Sequence, residues 1–170
     1  MPATLSVTRR VLSILRVLNW AYGGAILALL IASFIQPEWF FRAIGVKETS
    51  DFARIGRALQ MVAMLGIAAI PLYGVILDRL IAMVDTVRAG DPFVIDNAER
   101  LKTIAWSVLG LEAIHIVILA IVRMARTVQQ PLDIGGRLTL APAITVLLLF
   151  VLAKVFEQGA RMRADLEGTV

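Results

Sequence analysis

Four segments of this chain, residues 17–35, 59–77, 104–122 and 138–156, are almost free of charge, and charged clusters bracket each of them. Each is long enough to cross a bilayer, because roughly 19 residues at about 1.5 Å per residue span about 28 Å against a hydrocarbon core of about 30 Å. A backbone in lipid has no water to bond to. Helices satisfy every N–H and C=O internally, and lone strands do not. The segments therefore predict an all-α integral membrane four-helix bundle. Composition agrees: 59% of the residues are apolar and the mean hydropathy is +0.81, where soluble domains run at roughly 45–50% apolar. A single membrane domain over residues 1–170 is expected, with a connection at 78–103 and a tail at 157–170.

The first segment is too long for the apolar core of a cleaved signal peptide, and SFIQPEWF after it lacks a small-residue cleavage site, so it is read as retained. Lysine and arginine set the expected orientation. Ten of them flank the face that holds both termini and the middle connection: Arg9, Arg10, Arg16, Arg79, Arg88, Arg100, Lys102, Lys154, Arg161 and Arg163. Seven lie opposite, at Arg42, Lys47, Arg54, Arg57, Arg123, Arg126 and Arg137. The bias predicts cytoplasmic termini. Trp20, Tyr73 and Trp106 fall near segment ends, and Trp39, Phe40 and Phe41 follow the first segment directly, as interfacial aromatics do.

The connections carry local signals. Pro37 is expected to end the first helix, and residues 38–50 read as a short amphipathic piece on the outer surface. Thr49 or Ser50 is the expected N-cap of the second long helix. In LDRLIAMVDTVRAG, Leu80, Ile81, Val84 and Val87 form a helical stripe that extends the second span beyond the bilayer. Gly90 suits the end of that helix and Asp91-Pro92 a turn, after which Asp96 or Asn97 is expected to cap the helix entering the third span.

Several function classes are closed by what is missing. The chain has no cysteine, which removes disulfides, thiolate nucleophiles, iron–sulfur clusters and cysteine zinc sites. The net charge is +4 and the pI about 10.1, yet no soluble stretch is long enough to form a basic nucleic-acid module, so direct nucleic-acid binding is not expected. Gly23, Gly24, Gly66 and Gly74 are expected to permit close helix approach. The six methionines are read as packing.

The third span holds Glu112 and His115, the chain's one histidine. Their i, i+3 spacing puts them on one helix face. They lie roughly 12 and 16 Å into the span, near the midplane, where a charged group costs about 2.5–3.5 kcal/mol on insertion scales. Three roles stay open. Glu-x-x-His is the repeating unit of di-iron bundles, but those need two units and two further glutamates, so only a metal site shared between protomers survives. The A-x-x-x-H spacing of pigment-binding helices is absent, since Leu111 holds the alanine place, and no cofactor is expected. A contacting Glu–His pair is also a proton-responsive element. The structural role is a polar clamp. Pro71 deprives the Ile67 carbonyl of its helical donor, and Ile67 and Thr145 lie at a similar depth to the pair, where each offers it a partner on another helix.

Two separated motifs carry a family resemblance. The first is Gly90, Pro92, Phe93, Asn97, Leu101 and Ile104 in GDPFVIDNAERLKTIAW; the second is Phe156, Gly159, Met162, Arg163, Asp165, Glu167, Thr169 and Val170 in FEQGARMRADLEGTV. Together they resemble the bacterial membrane family catalogued as domain of unknown function 2975, over nearly the whole chain. Gly168 departs from the apolar residue expected there. The resemblance implies a four-helix inner-membrane protein with no established catalytic residues. It also implies gene neighbourhood with a small helix-turn-helix regulator, and so a regulatory protein partner. The turn, with Gly90, Asp91, Pro92, Phe93 and Asn97, and the tail, with Phe156, Gly159, Met162 and Arg163, are expected on one face. There Phe93 would be buried against Phe156 or Met162, either as a cap over the bundle or as a docking surface.

Three function classes follow. The first is a non-enzymatic membrane module acting through a protein partner, either a cytoplasmic helix-turn-helix regulator or a larger membrane complex, with oligomerisation open. The second is a proton- or ligand-responsive sensor or transporter centred on Glu112 and His115. The third, an intramembrane enzyme, is not expected: Ser107 lies on a different face from Glu112, and no serine adjoins His115 to complete a triad.

Overall fold

The structure, a computed structural model, describes residues 2–46, 51–126 and 136–167. Five helices and no strand occur among these residues: α1 Pro2–Ile35, α2 Pro37–Ala43, α3 Phe52–Arg88, α4 Ile95–Ala125 and α5 Ala141–Glu167. The four long helices are each apolar and long enough to cross a membrane. The chain is an all-α helical membrane bundle with a short extra helix. At 37 residues α3 measures about 55 Å, so it outruns a bilayer core of about 30 Å and carries the extension that its apolar stripe predicts.

Proline sets two of the boundaries. Gln36 leaves the helical region at φ −135°, ψ 69°, and Pro37 opens α2. Pro71 lies inside α3, which continues through it. The fourth span was expected from residue 138, but α5 begins at Ala141; Pro142 needs no amide donor in a first turn and suits that later start. The expected cap at Thr49 or Ser50 lies outside the described residues. Neither Asp96 nor Asn97 is an N-cap, because α4 has already begun at Ile95.

The chain forms two compact units, to which α1, α3 and α4 each contribute a part. One unit, Trp20–Pro71 with Leu111–Thr139, is closed by apolar packing. Phe41, Val46, Ile55, Ala58, Val122 and Ala125 form its buried cluster. The Phe41 ring meets Phe40 and Phe52 edge-on, with centroids 5.4 and 6.1 Å away. It also lies over Gly56, where a Cβ would come within 2.8 Å of the ring. α2 is tied off by Gly45 at φ +87°, with the Val46 N–H donating to the Phe41 carbonyl and the Gly45 N–H to Arg42. These two hydrogen bonds make the glycine-terminated helix end that folds an apolar residue back onto its own last turn. A polar tie joins α1 to α3 here: the Gln60 amide donates to the carbonyl and hydroxyl oxygens of buried Ser33, both at 3.3 Å. Gly23 brings the α1 backbone tight against Ile70, and Gly66 meets Ile26 at an ordinary distance. Gly24 faces open space, so the expected close approach is not made there.

The other unit, Met1–Asn19 with Leu72–Gly110 and Leu140–Val170, buries Ile81, Ala98, Leu101, Ile104, Ala105 and Ala153 and adds ion pairs between helices. Arg9 pairs with Asp85 at 2.8 Å and Arg16 with Asp78 at 3.1 Å, joining α1 to α3. Trp106 on α4 meets Phe150 on α5 edge-on at 5.7 Å while staying 63% exposed, as an interfacial aromatic does.

Candidate functional site

Gly90 ends α3 at φ +85°. The Asp91 N–H donates to the Thr86 carbonyl at 3.0 Å and the Gly90 N–H to Val87 at 3.1 Å. These bonds satisfy carbonyls that a helix end otherwise leaves open, and the positive φ is why glycine stands there. The chain then reverses through Pro92 into α4.

Asn97 locks this reversal. Its side chain is fully buried, and every group on it is used. The amide donates to the Pro92 carbonyl and to the Thr86 hydroxyl oxygen, each at 2.8 Å, and its oxygen accepts from Arg100 at 2.7 Å. Thr86 passes its own proton to the Met83 carbonyl. A buried amide is stable only when so satisfied, so the geometry of residues 86–97 is closely determined. Its place before the third span suggests a cap's role for Asn97; in the fold it is the knot of the turn.

The tail comes to the turn as its motif spacing suggested. Phe93 and Phe156 pack with centroids 5.4 Å apart and planes tilted by 40°. A Cβ on Gly159 would lie 2.8 Å from the Phe93 ring, so only glycine lets that ring settle on α5. Arg163 donates to the Asp91 carboxylate, bridging tail and turn. The expected burial of Phe93 is corrected: the ring covers Phe156 but stays 45% exposed, and Met162 is 66% exposed. Two large apolar side chains therefore stand open beside fixed charges.

Thr86, Arg100 and the ion pairs behind them are not among the site residues that the sequence suggests. Arg9 and Arg16 are seven residues apart, and so are Asp78 and Asp85. That matched spacing, two helical turns on each side, was a legible signal for antiparallel pairing. The Arg9 hydrogen bond holds the Asp85 carboxyl below the ordinary carboxylate range, well beyond the charge-free segment 59–77. Glu157 faces Lys154, Arg161 and, at 3.9 Å, Lys102 of α4.

Within the third span, His115 Nδ1 lies 3.5 Å from Glu112 Oε2, and both side chains are half-buried. The pair expected from spacing is in contact. Of its proposed partners, Ile67 is half-buried on α3, and Thr145 donates its proton to the Ala141 carbonyl of its own helix at 2.9 Å. That leaves the Thr145 hydroxyl no proton to give elsewhere. Among the described residues no three His, Asp or Glu side chains converge as a metal would need.

The family model described as "Protein of unknown function (DUF2975)" matches residues 12–170. No curated protein and no solved structure matches the chain.

Proposed function

From a chain that belongs to the DUF2975 family of proteins of unknown function, and whose four apolar helices suit a membrane, we infer a non-enzymatic module of the bacterial inner membrane that acts through a protein partner. The partner is a cytoplasmic regulator or the remainder of a larger membrane complex, and it docks on the turn at 90–97 and the tail from Gly159. One observation carries this reading. Phe93 and Met162 remain open to solvent although Asn97, Gly159 and the Asp91–Arg163 pair fix the surface around them. A pre-ordered patch with an apolar centre and a charged rim has the anatomy of a protein interface, since little ordering entropy remains to be lost on binding. The lysine and arginine bias supports a cytoplasmic position for this face.

The test is to purify the tagged protein from native membranes in mild detergent and identify stoichiometric companions by mass spectrometry. A companion that is lost from Phe93→Ser, or from a chain ending at Gln158, with helicity unchanged, supports the reading. A partner-free protein, or a companion that both variants retain, sinks it.

The 3.5 Å contact between Glu112 and His115 favours a second reading, a proton-responsive sensor or transporter. It requires Glu112→Gln and His115→Ala each to abolish a pH-dependent activity while the fold survives; unchanged activity in both removes it.

A further inference from the structure

A second cleft lies between α3 and α4, adjoining the turn through Asp96 and Arg100, and its reading is independent of the partner. Arg79, Asp96, Glu99, Arg100 and Thr103 line an open cleft of about 200 Å³. Its depth is set by the sequence. Arg79 comes two residues after the charge-free segment 59–77, and Thr103 one residue before 104–122. The cleft thus sits where hydrocarbon gives way to headgroups. Trp106, one turn further along the Thr103 face of α4 and 63% exposed, marks the same boundary.

The donors and acceptors in the cleft are unevenly used. Arg100 is engaged by the Asn97 amide oxygen and, at 3.7 Å, by Asp96. Glu99 accepts from Lys102 at 2.8 Å. Arg79 makes no hydrogen bond or ion pair with any described residue. It is a planar, donor-only cation with the fork that matches a phosphate oxygen pair. The opposite character fills the α4 wall. The Asp96 and Glu99 side chains are 71% and 66% exposed, and each carboxylate has lone pairs to spare. Thr103 has given its proton to the Glu99 carbonyl at 2.8 Å, so its hydroxyl oxygen can only accept.

Of the two guanidiniums lining the cleft, Arg100 is held by Asn97 and Asp96 and Arg79 is uncommitted; with three acceptors on the α4 wall, this suits a ligand that carries an anion and an N–H cation together. We propose that this cleft binds the headgroup of a zwitterionic aminophospholipid, with its phosphodiester on Arg79 and its primary ammonium on Asp96, Glu99 and Thr103. A purely anionic headgroup would meet Asp96 and Glu99 as well as the two arginines, and it brings no cation for the carboxylates. A choline headgroup has no N–H to donate to the three acceptors.

The test uses the full-length protein, delipidated in detergent and offered equal amounts of dioleoyl phosphatidylethanolamine, phosphatidylglycerol and phosphatidylcholine, with bound lipid read by native mass spectrometry. Phosphatidylethanolamine should be retained roughly tenfold over phosphatidylcholine, the ratio that about 1.4 kcal/mol of differential affinity gives. Arg79→Gln should remove most of that retention, Arg79→Lys should restore part of it, and Arg10→Gln, an exposed arginine away from the cleft, should leave it unchanged. Asp96→Asn with Glu99→Gln should level the two zwitterionic lipids. Equal retention in the wild type, a preference for phosphatidylglycerol, or retention indifferent to Arg79 would each overturn the proposal. So would Arg79-dependent binding of soluble phosphoethanolamine with no phospholipid retained.

Discussion

At Phe41 six buried apolar side chains, its own included, close on one another from α2, α3, α4 and the Val46 turn, whereas at Asn97 a single buried amide gathers Pro92, Thr86 and Arg100 by directed bonds. Both regions fasten a chain reversal, and both use a glycine at positive φ to end the preceding helix. They differ in what they leave over. Non-directional packing consumes the apolar groups that make it, so the Phe41 region spends its aromatics on staying together. A hydrogen-bonded knot fixes the backbone without using the neighbouring rings. Phe93 and Met162 can then stand exposed beside the Asp91–Arg163 pair without loosening the turn. This contrast is the physical reason to look for recognition at the turn and tail and for anchoring at α2.

The contrast can be broken most directly at its apolar pole. Phe41 is 4% exposed, and Phe41→Ala should cost about 3–4 kcal/mol, as the loss of a core aromatic with incomplete collapse of the cavity does. Thermal unfolding in detergent should show the drop, with α2 losing amide protection first. A change under about 1 kcal/mol would mean that Phe41 does not hold this region. The polar pole should respond less. Asn97→Ala strands the Pro92 carbonyl and one Arg100 donor, which predicts a loss of about 2–3 kcal/mol from unmet buried groups. Asn97→Asp is the sharper variant: it keeps the shape and the acceptor for Arg100 but cannot donate to Pro92 or Thr86. Hydrogen exchange over residues 86–97 should rise in both variants while the Phe41 region stays protected. If protection fell equally in both regions, the distinction between them would fail.

What was legible in the sequence follows the same division. The spans could be read because charge exclusion acts residue by residue, so runs free of Lys, Arg, Asp and Glu announce themselves without any knowledge of neighbours. Pro37 and Gly90 were legible for a similar reason, since each imposes a backbone geometry by itself. Phe93 meeting Phe156 came from two motifs expected on one face, and Glu112 meeting His115 from i, i+3 spacing within one helix. The roles of Asn97 and Gly159 were not legible, because each depends on an atom brought in by another segment: the Pro92 carbonyl in one case and the Phe93 ring in the other. The exposure of Phe93 was misread because apolar character predicts burial only on average.

The smallest expected effect tests whether the long-range ion pairs belong to the polar fastening at all. Arg9 and Asp85 are both nearly half exposed, and exposed pairs contribute little because water screens them and two long side chains must be held still. The Arg9 hydrogen bond nevertheless lowers the Asp85 carboxyl. A carboxylate with a lowered folded-state pKa stabilises the fold above its unfolded pKa, and that contribution is lost as pH falls through the folded one. The pair should therefore matter at neutral pH and vanish under acid. In a cycle of Arg9→Gln, Asp85→Asn and the double variant, the coupling at neutral pH should be favourable, smaller than either effect above, and reduced by added salt. Coupling that persisted unchanged into strong acid would show that Arg9 is held by something other than the Asp85 charge. Coupling of zero at every pH would leave α1 fastened in this unit by the remaining pair, Arg16 with Asp78, together with whatever apolar contact the helix makes, and the polar region would shrink to the turn, the tail and Asn97.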